Sequence, residues 1–113
     1  MSPLPGDKVL NVDASLADAI VRGAKRVENR TFHTRYLGRV WIAASKRPNY
    51  PEYPCGAIVG SVEIYASVDV GELPYGYANG PVCWLLRNPV VLATPIPCQG
   101  RLGIWKWKEE YRR

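Results

Sequence analysis

"AIVGSVEIYASVDV", residues 57–70, is the longest run of β-forming residues in the chain. Its alternation places Ile58, Val62 and Ile64 on one face and Val59, Glu63 and Tyr65 on the other, the period of two that a pleated strand imposes. Gly60 interrupts the run and predicts a bulge or the close approach of another backbone. On the N-terminal side, "GRVWIAAS", residues 38–45, repeats the pattern, with Val40 and Ile42 on one face and Trp41 on the other. Between the two runs lies "RPNYPEYPCG", whose three prolines exclude a strand interior. On the C-terminal side, "GELPYGYANGP", residues 71–81, reads as a loop. "VCWLLR" and "VVLATPI" then read as two strands joined around Asn88 and Pro89, and "LGIWKW", residues 102–107, as a final strand. Trp105 and Trp107, two apart, share a face there and pack against the sheet.

Ahead of these runs, residues 27–30 form a short strand candidate. Leu16, Ala19 and Ile20 fall at helical spacing, Asp13 or Ser15 can cap the N-terminus, and Gly23 supplies the left-handed closing residue. The helix predicted is Ser15 to Arg22. Residues 1–12 are Pro-rich at the start, show no periodicity and read as an N-terminal arm. Six short strands and one early helix predict an α+β, mainly β fold: a small β-barrel with a short N-terminal helix at its rim. The 113 residues hold no internal repeat or linker and form one domain, 1–113.

Composition narrows the function classes. Hydrophobic residues make up 47% and charged residues 22%, the balance of an ordinary globular chain. No apolar run approaches ~20 residues and no basic stretch precedes an apolar one at the N-terminus, so neither a membrane span nor a secretory signal is expected. Cys55, Cys83 and Cys98 are widely spaced and His33 is the one histidine. That set lacks the paired ligands of a zinc site, so no metal and no other cofactor is expected. Three small buried thiols in a reducing compartment is the plain reading, with a cytoplasmic location, nuclear if the source is eukaryotic, and a monomer favoured.

The net charge is +5, yet residues 22–47 carry eight cations and one carboxylate, Glu28. That segment is therefore +7 and the remainder −2, and a polyanion is the natural partner of such a segment. "TFHTRYLGR" and "SKRPNY" interleave cations with rings, as unstacked bases and their phosphates require. Phe32 reads as core or rim packing, Tyr36 as the more exposed ring. His33 reads as a surface residue without a neighbouring partner. "RGAKRVENR", residues 22–30, poses a sharper question: Glu28 is either a surface residue offsetting its neighbours, in an exposed pair contributing ~0–1 kcal/mol, or part of a site with Lys25 and Arg30.

The order Gly23-x-Lys25-x-x-Glu28-x-Arg30, Tyr36-x-Gly38, "WIAAS", "CGAIVGSVEI", "GPVCWLL" and "PIPCQGRLGIWKW" resembles an ASCH domain (activating-signal-cointegrator homology) over about residues 12–108. The resemblance implies a PUA-like β-barrel and a basic cleft that binds RNA or single-stranded DNA. By position, Lys25, Glu28 and Arg30 match the signature lining the family's cleft. The cleft set read here is Lys25, Arg26, Glu28, Arg30, Arg35, Tyr36, Arg39, Ser45, Lys46 and Arg47, built by the turn after Gly23, the Thr31–Arg39 loop and the end of the 38–45 strand. Some small members are ribonucleases or amidohydrolases of acylated cytidine, which implies an alternative: a metal-independent enzyme using Lys25 with Glu63 or Glu28. Glu28 stands where the amidohydrolases carry a threonine, and a carboxylate cannot replace a hydroxyl nucleophile. A protein-interaction module with a basic docking surface is a third reading. The chain also departs from the family ahead of the helix, with Ala14-Ser15-Leu16 in place of Gln-Pro-Trp.

Overall fold

The computed structural model describes residues 1–73 and 79–113. Strand β1 (Lys8–Asp13) leads directly into helix α1 (Ala14–Val21), followed by β2 (Val27–Arg30), β3 (Gly38–Ser45), β4 (Ala57–Asp69), β5 (Val82–Pro97) and β6 (Ile104–Lys106). The strands form one sheet in the order β2-β5-β4-β3-β1-β6. It curls into a half-barrel, in keeping with the small barrel expected from the strand pattern and the PUA-like fold that the resemblance implies, with β2 and β6 as its two edges.

The Asp13 side chain caps α1 by accepting from the Leu16 N–H at 2.9 Å, and Gly23 follows the helix at φ +83°. A non-glycine residue in that left-handed conformation would be strained. Ala17, Ile20 and Val21 turn the helix onto the concave side of the sheet. There they join Leu10, Val40, Ile42, Val62, Ile64, Trp84 and Leu86 in the main core. A second cluster lies on the convex side, where Trp41, Trp105, Trp107 and Tyr111 pack around Val9, Ile58 and Cys98. Trp105 and Trp107 share this face with ring centroids 6.3 Å apart.

The N-terminal arm is the main correction. Residues 8–13 are a sheet strand, parallel to β3 from Val9↔Trp41 to Asp13↔Ser45 and antiparallel to β6. Leu10 and Val12 enter the concave core while Val9 enters the convex one. A six-residue run buried on both faces between distant partners shows no alternation of polarity. The two strands read around Asn88 and Pro89 are one, β5, which passes through that corner with Asn88 at φ +53°. Six strands were predicted and six occur, but through these two offsetting differences. The last strand is shorter than read, residues 104–106. Of the loop read at 71–81, residues 74–78 lie outside the described residues, and Val70–Glu72 form a 3-10 turn.

The face assignment within β4 also changes. Ile42 pairs with Gly60 and Ala43 with Ile58, leaving Val59 as the extra residue of a bulge. The bulge shifts the alternation, so Val59 joins Val62 and Ile64 in the concave core and Ile58 faces the other way. Gly60 is required there. A Cβ would collide with the Val90 carbonyl oxygen and with Val21 of α1. Cys83 and Cys98 are buried, but Cys55 is exposed, against the reading of three buried thiols.

Candidate nucleic-acid interface

Strand β2 is an edge, and its four residues decide the character of the concave opening. Glu28 and Arg30, two apart, point to the same side, and Glu28 lies opposite Trp84 of β5. Glu28 is 6% exposed, so it is a buried acid and not a surface offset. Its partner is Arg30, whose Nε and Nη2 donate to Oε2 at 3.0 and 2.9 Å. Burial pushes the Glu28 carboxyl above the usual carboxylate range, against the opposing pull of Arg30 and, more weakly, Lys25. Lys25 sits in the turn after α1 and acts on Glu28 only through its field.

Held this way, the Arg30 guanidinium lies 5.0 Å from the Trp84 ring centroid. The Trp84 indole N–H donates to the Phe32 carbonyl at 3.1 Å, and the Phe32 ring stands edge-on to the indole at 6.1 Å. Phe32 is 61% exposed, whereas Tyr36 is half-buried against the core, the reverse of the sequence expectation. The Tyr36 hydroxyl donates to the Arg39 carbonyl at 3.2 Å, and the Lys8 ammonium lies 5.6 Å from its ring centroid. Lys8, Arg30, Phe32, Arg35, Tyr36 and Trp84 line one open cavity of about 450 Å³ in the seam between the β2 and β6 edges. It combines three cations with three rings, and no acidic side chain lines it.

The remaining residues of the sequence-derived set go elsewhere. Lys25 and Arg26 line a second cavity of about 640 Å³ with Gly23, Tyr65, Arg87 and Asn88. Ser45, Lys46 and Arg47 line a third, of about 440 Å³. Arg39 is spent on structure, donating to Ser61 Oγ and to the Asn88 carbonyl, both at 2.8 Å. One basic cleft holding the whole set is therefore corrected to three concavities, because β3 carries Arg39 and Ser45 at its opposite ends. Glu63 is clamped by Arg87 (3.1 and 3.0 Å) and by the Asn88 amide (3.0 Å). These bonds from Arg87, then Asn88, hold its carboxyl below the usual range, the opposite of what a proton-transferring group near neutrality needs. His33 does have partners: Ser67 Oγ at 2.7 Å and Asp69 Oδ1 at 3.0 Å.

Sequence reasoning missed Lys8, which it placed in the arm. It also missed Trp84, whose position against Glu28 follows only from the β2–β5 pairing. Among the described residues, no three His, Cys, Asp or Glu side chains group as metal ligands, and no helix is long and apolar enough to cross a membrane.

The ASCH domain family profile matches residues 10–77, from β1 past the end of β4. The chain belongs to the ASCH domain family. Its ASCH fold is closely matched by crystal structures of ASCH from Zymomonas mobilis. A Tyr→Phe variant of that protein superposes with a TM-score of 0.67 at 23% identity, covering 94% of this chain and 93% of that one. The unmutated protein gives 0.66, also at 23% identity, over 94% and 90%. At that identity the likeness concerns the fold. Activating signal cointegrator 1 from Homo sapiens is 27% identical over 129 residues, covering 89% of this chain, and the Mus musculus protein is 26% identical over the same share. The chain spans about a fifth (22%) of the length of these curated relatives. The matched span contains Lys25, Glu28 and Arg30, of which Glu28 and Arg30 form the ion pair at the seam cavity and Lys25 lines a different one.

Proposed function

We propose that this ASCH domain binds single-stranded nucleic acid, RNA or DNA, in the cavity between the β2 and β6 edges. The reading rests on one observation: a guanidinium fixed by a buried carboxylate lies over an indole, inside an open hollow that also presents Phe32, Tyr36, Arg35 and Lys8. Unstacked bases need flat apolar surfaces, and each stacking contact contributes ~1–3 kcal/mol. Phosphates need cations not already held by acids, and Arg35 and Lys8, which make no ion pair among the described residues, supply them, while Arg30, tied to Glu28 on one edge, offers its remaining N–H groups. Glu28 fixes Arg30 in place, so little side-chain freedom is lost when a ligand arrives. Lys25 and Arg26, in a separate cavity, contribute to the field.

The test is fluorescence anisotropy of a labelled oligouridylate titrated with the protein across a salt series. Affinity falls steeply with salt and drops in the Arg30→Ala and Arg35→Ala variants. Binding that ignores salt, or that both variants leave unchanged, overturns the proposal.

A further inference from the structure

Beyond the seam cavity lies a second basic hollow, at the far ends of β1 and β3. Asn11, Ser45, Lys46, Arg47, Arg101 and Arg113 line it. Four cations face it and no acidic side chain does. Among the described residues, none of the four makes an ion pair, whereas Arg22, Arg30, Arg87 and Arg112 each have a carboxylate partner. Arg101 is braced by the Tyr111 ring, 4.6 Å from its centroid, and the Asn11 amide donates to Ser45 Oγ at 2.8 Å across the floor. Concentrated positive charge left unneutralised around a concavity is unfavourable in the free protein and is relieved when an anion enters.

The two hollows are neighbours. Leu102 lines both, and it is 93% exposed. Lys8, in the seam cavity, and Asn11, in the second hollow, are three residues apart on β1, ~10 Å along the strand and on opposite faces of it. A strand passing from one hollow to the other therefore rounds the β6 edge of the sheet, where Leu102 borders both.

We infer that the Lys46–Arg101 hollow is a second phosphate subsite, so that one nucleic-acid strand places bases in the seam cavity, crosses Leu102, and sets its next phosphates among Lys46, Arg47, Arg101 and Arg113. This rests on the binding reading above and extends it: the ligand is an oligonucleotide and not a mononucleotide. Affinity therefore rises with strand length until both basins are filled.

The experiment compares the whole chain with two variants of equal charge loss, using labelled oligouridylates from about two to about eight nucleotides, a range reaching into the site sizes of other single-strand binders. One variant, Lys46→Gln with Arg101→Gln, discharges the hollow. The other, Lys106→Gln with Lys108→Gln, removes exposed charges that line neither basin. The hollow variant binds the shortest probe like the parent, which also shows that it folds. On the longest probe its salt slope falls by about 1.4, corresponding to ~25-fold weaker binding at ~0.1 M salt. The control variant keeps the parent's length dependence. If the two variants match at every length while the parent binds, the second subsite is refuted and the seam reading stands. If the parent binds no probe, both fall.

Discussion

Replacing Arg30 with methionine tests whether Glu28 is a buried acid that depends on one partner. The change keeps most of the side-chain volume and removes the guanidinium. Glu28 then loses the two contacts to Oε2 at 3.0 and 2.9 Å while its own side chain remains 8% exposed. Breaking a buried pair from one side costs ~3–5 kcal/mol. Arg30 is 21% exposed, which moves the figure toward the lower bound, and the lost contact with the Trp84 ring adds ~0.5–1 kcal/mol. A loss of about 3 kcal/mol at pH 7 is the result anticipated in urea denaturation followed by tryptophan fluorescence. The pH dependence carries the sharper test. The Glu28 carboxyl is already raised by burial, and Arg30 is the first-ranked influence holding it down. In the variant it rises further, so the folded protein binds a proton that the unfolded chain, near its ordinary pKa of ~4.3, has released. Stability therefore falls as pH rises from about 4.3 through the folded value, and is level beyond it. At about pH 3 the carboxyl is protonated in both states, and the destabilisation is smaller than at pH 7. Adding Glu28→Gln to Arg30→Met recovers most of the loss at pH 7, because no stranded charge remains. A deficit equal at both pH values, or a double variant no more stable than the single one, would refute the assignment of Glu28 as a buried, partner-dependent acid.

Three further outcomes follow from particular side chains. Phe32→Ala lowers stability by less than ~1 kcal/mol, since the ring is 61% exposed, yet weakens oligonucleotide binding by ~1–3 kcal/mol if a base stacks there; parallel melts and anisotropy titrations separate the two effects. Gly60→Ala drives a methyl into Val90 and Val21 and costs ~1–3 kcal/mol, read as a lower urea midpoint with an unchanged slope. Under native conditions one thiol per chain, Cys55, reacts promptly with a maleimide, while Cys83 and Cys98 react only on unfolding; peptide mapping by mass spectrometry identifies the modified site.

Strands β3 and β4 are also buried on both faces over much of their length, yet they were legible because they are long runs of β-branched and aromatic residues bounded by Gly and Pro. The helix was legible from both ends, through Asp13 and Gly23. What escaped was set by tertiary partners. Strand β1 is only six residues long, carries Lys, Asn and Asp among its apolar residues and follows a Pro-rich start, so nothing local marks it. The Val59 bulge becomes visible only once Gly60 is seen against Val90. For the site, the charge pattern pointed to Arg30, Arg35 and Tyr36, which the fold brings to one cavity, and the lone acid among those cations, Glu28, is the buried partner of Arg30. Grouping Lys25, Arg30 and Lys46 into one cleft failed because proximity in sequence says nothing about which end of a strand a residue occupies. Trp84, 56 positions after Glu28, is invisible as its partner until the pairing of β2 with β5 is known.

The pairing of β1 with β6 has a consequence for how the chain is made. Lys8 meets Lys106 and Leu10 meets Ile104, contacts that span nearly the whole chain. As the polypeptide leaves the ribosome, the strand that emerges first waits longest for its last neighbour. Until residues 104–106 arrive, β1 offers an uncovered hydrogen-bonding rim and the convex cluster has only one of its four rings, Trp41. Such late, distant closure slows folding and leaves a sticky intermediate. Nascent chains stalled short of Trp105 would be the ones most in need of a chaperone.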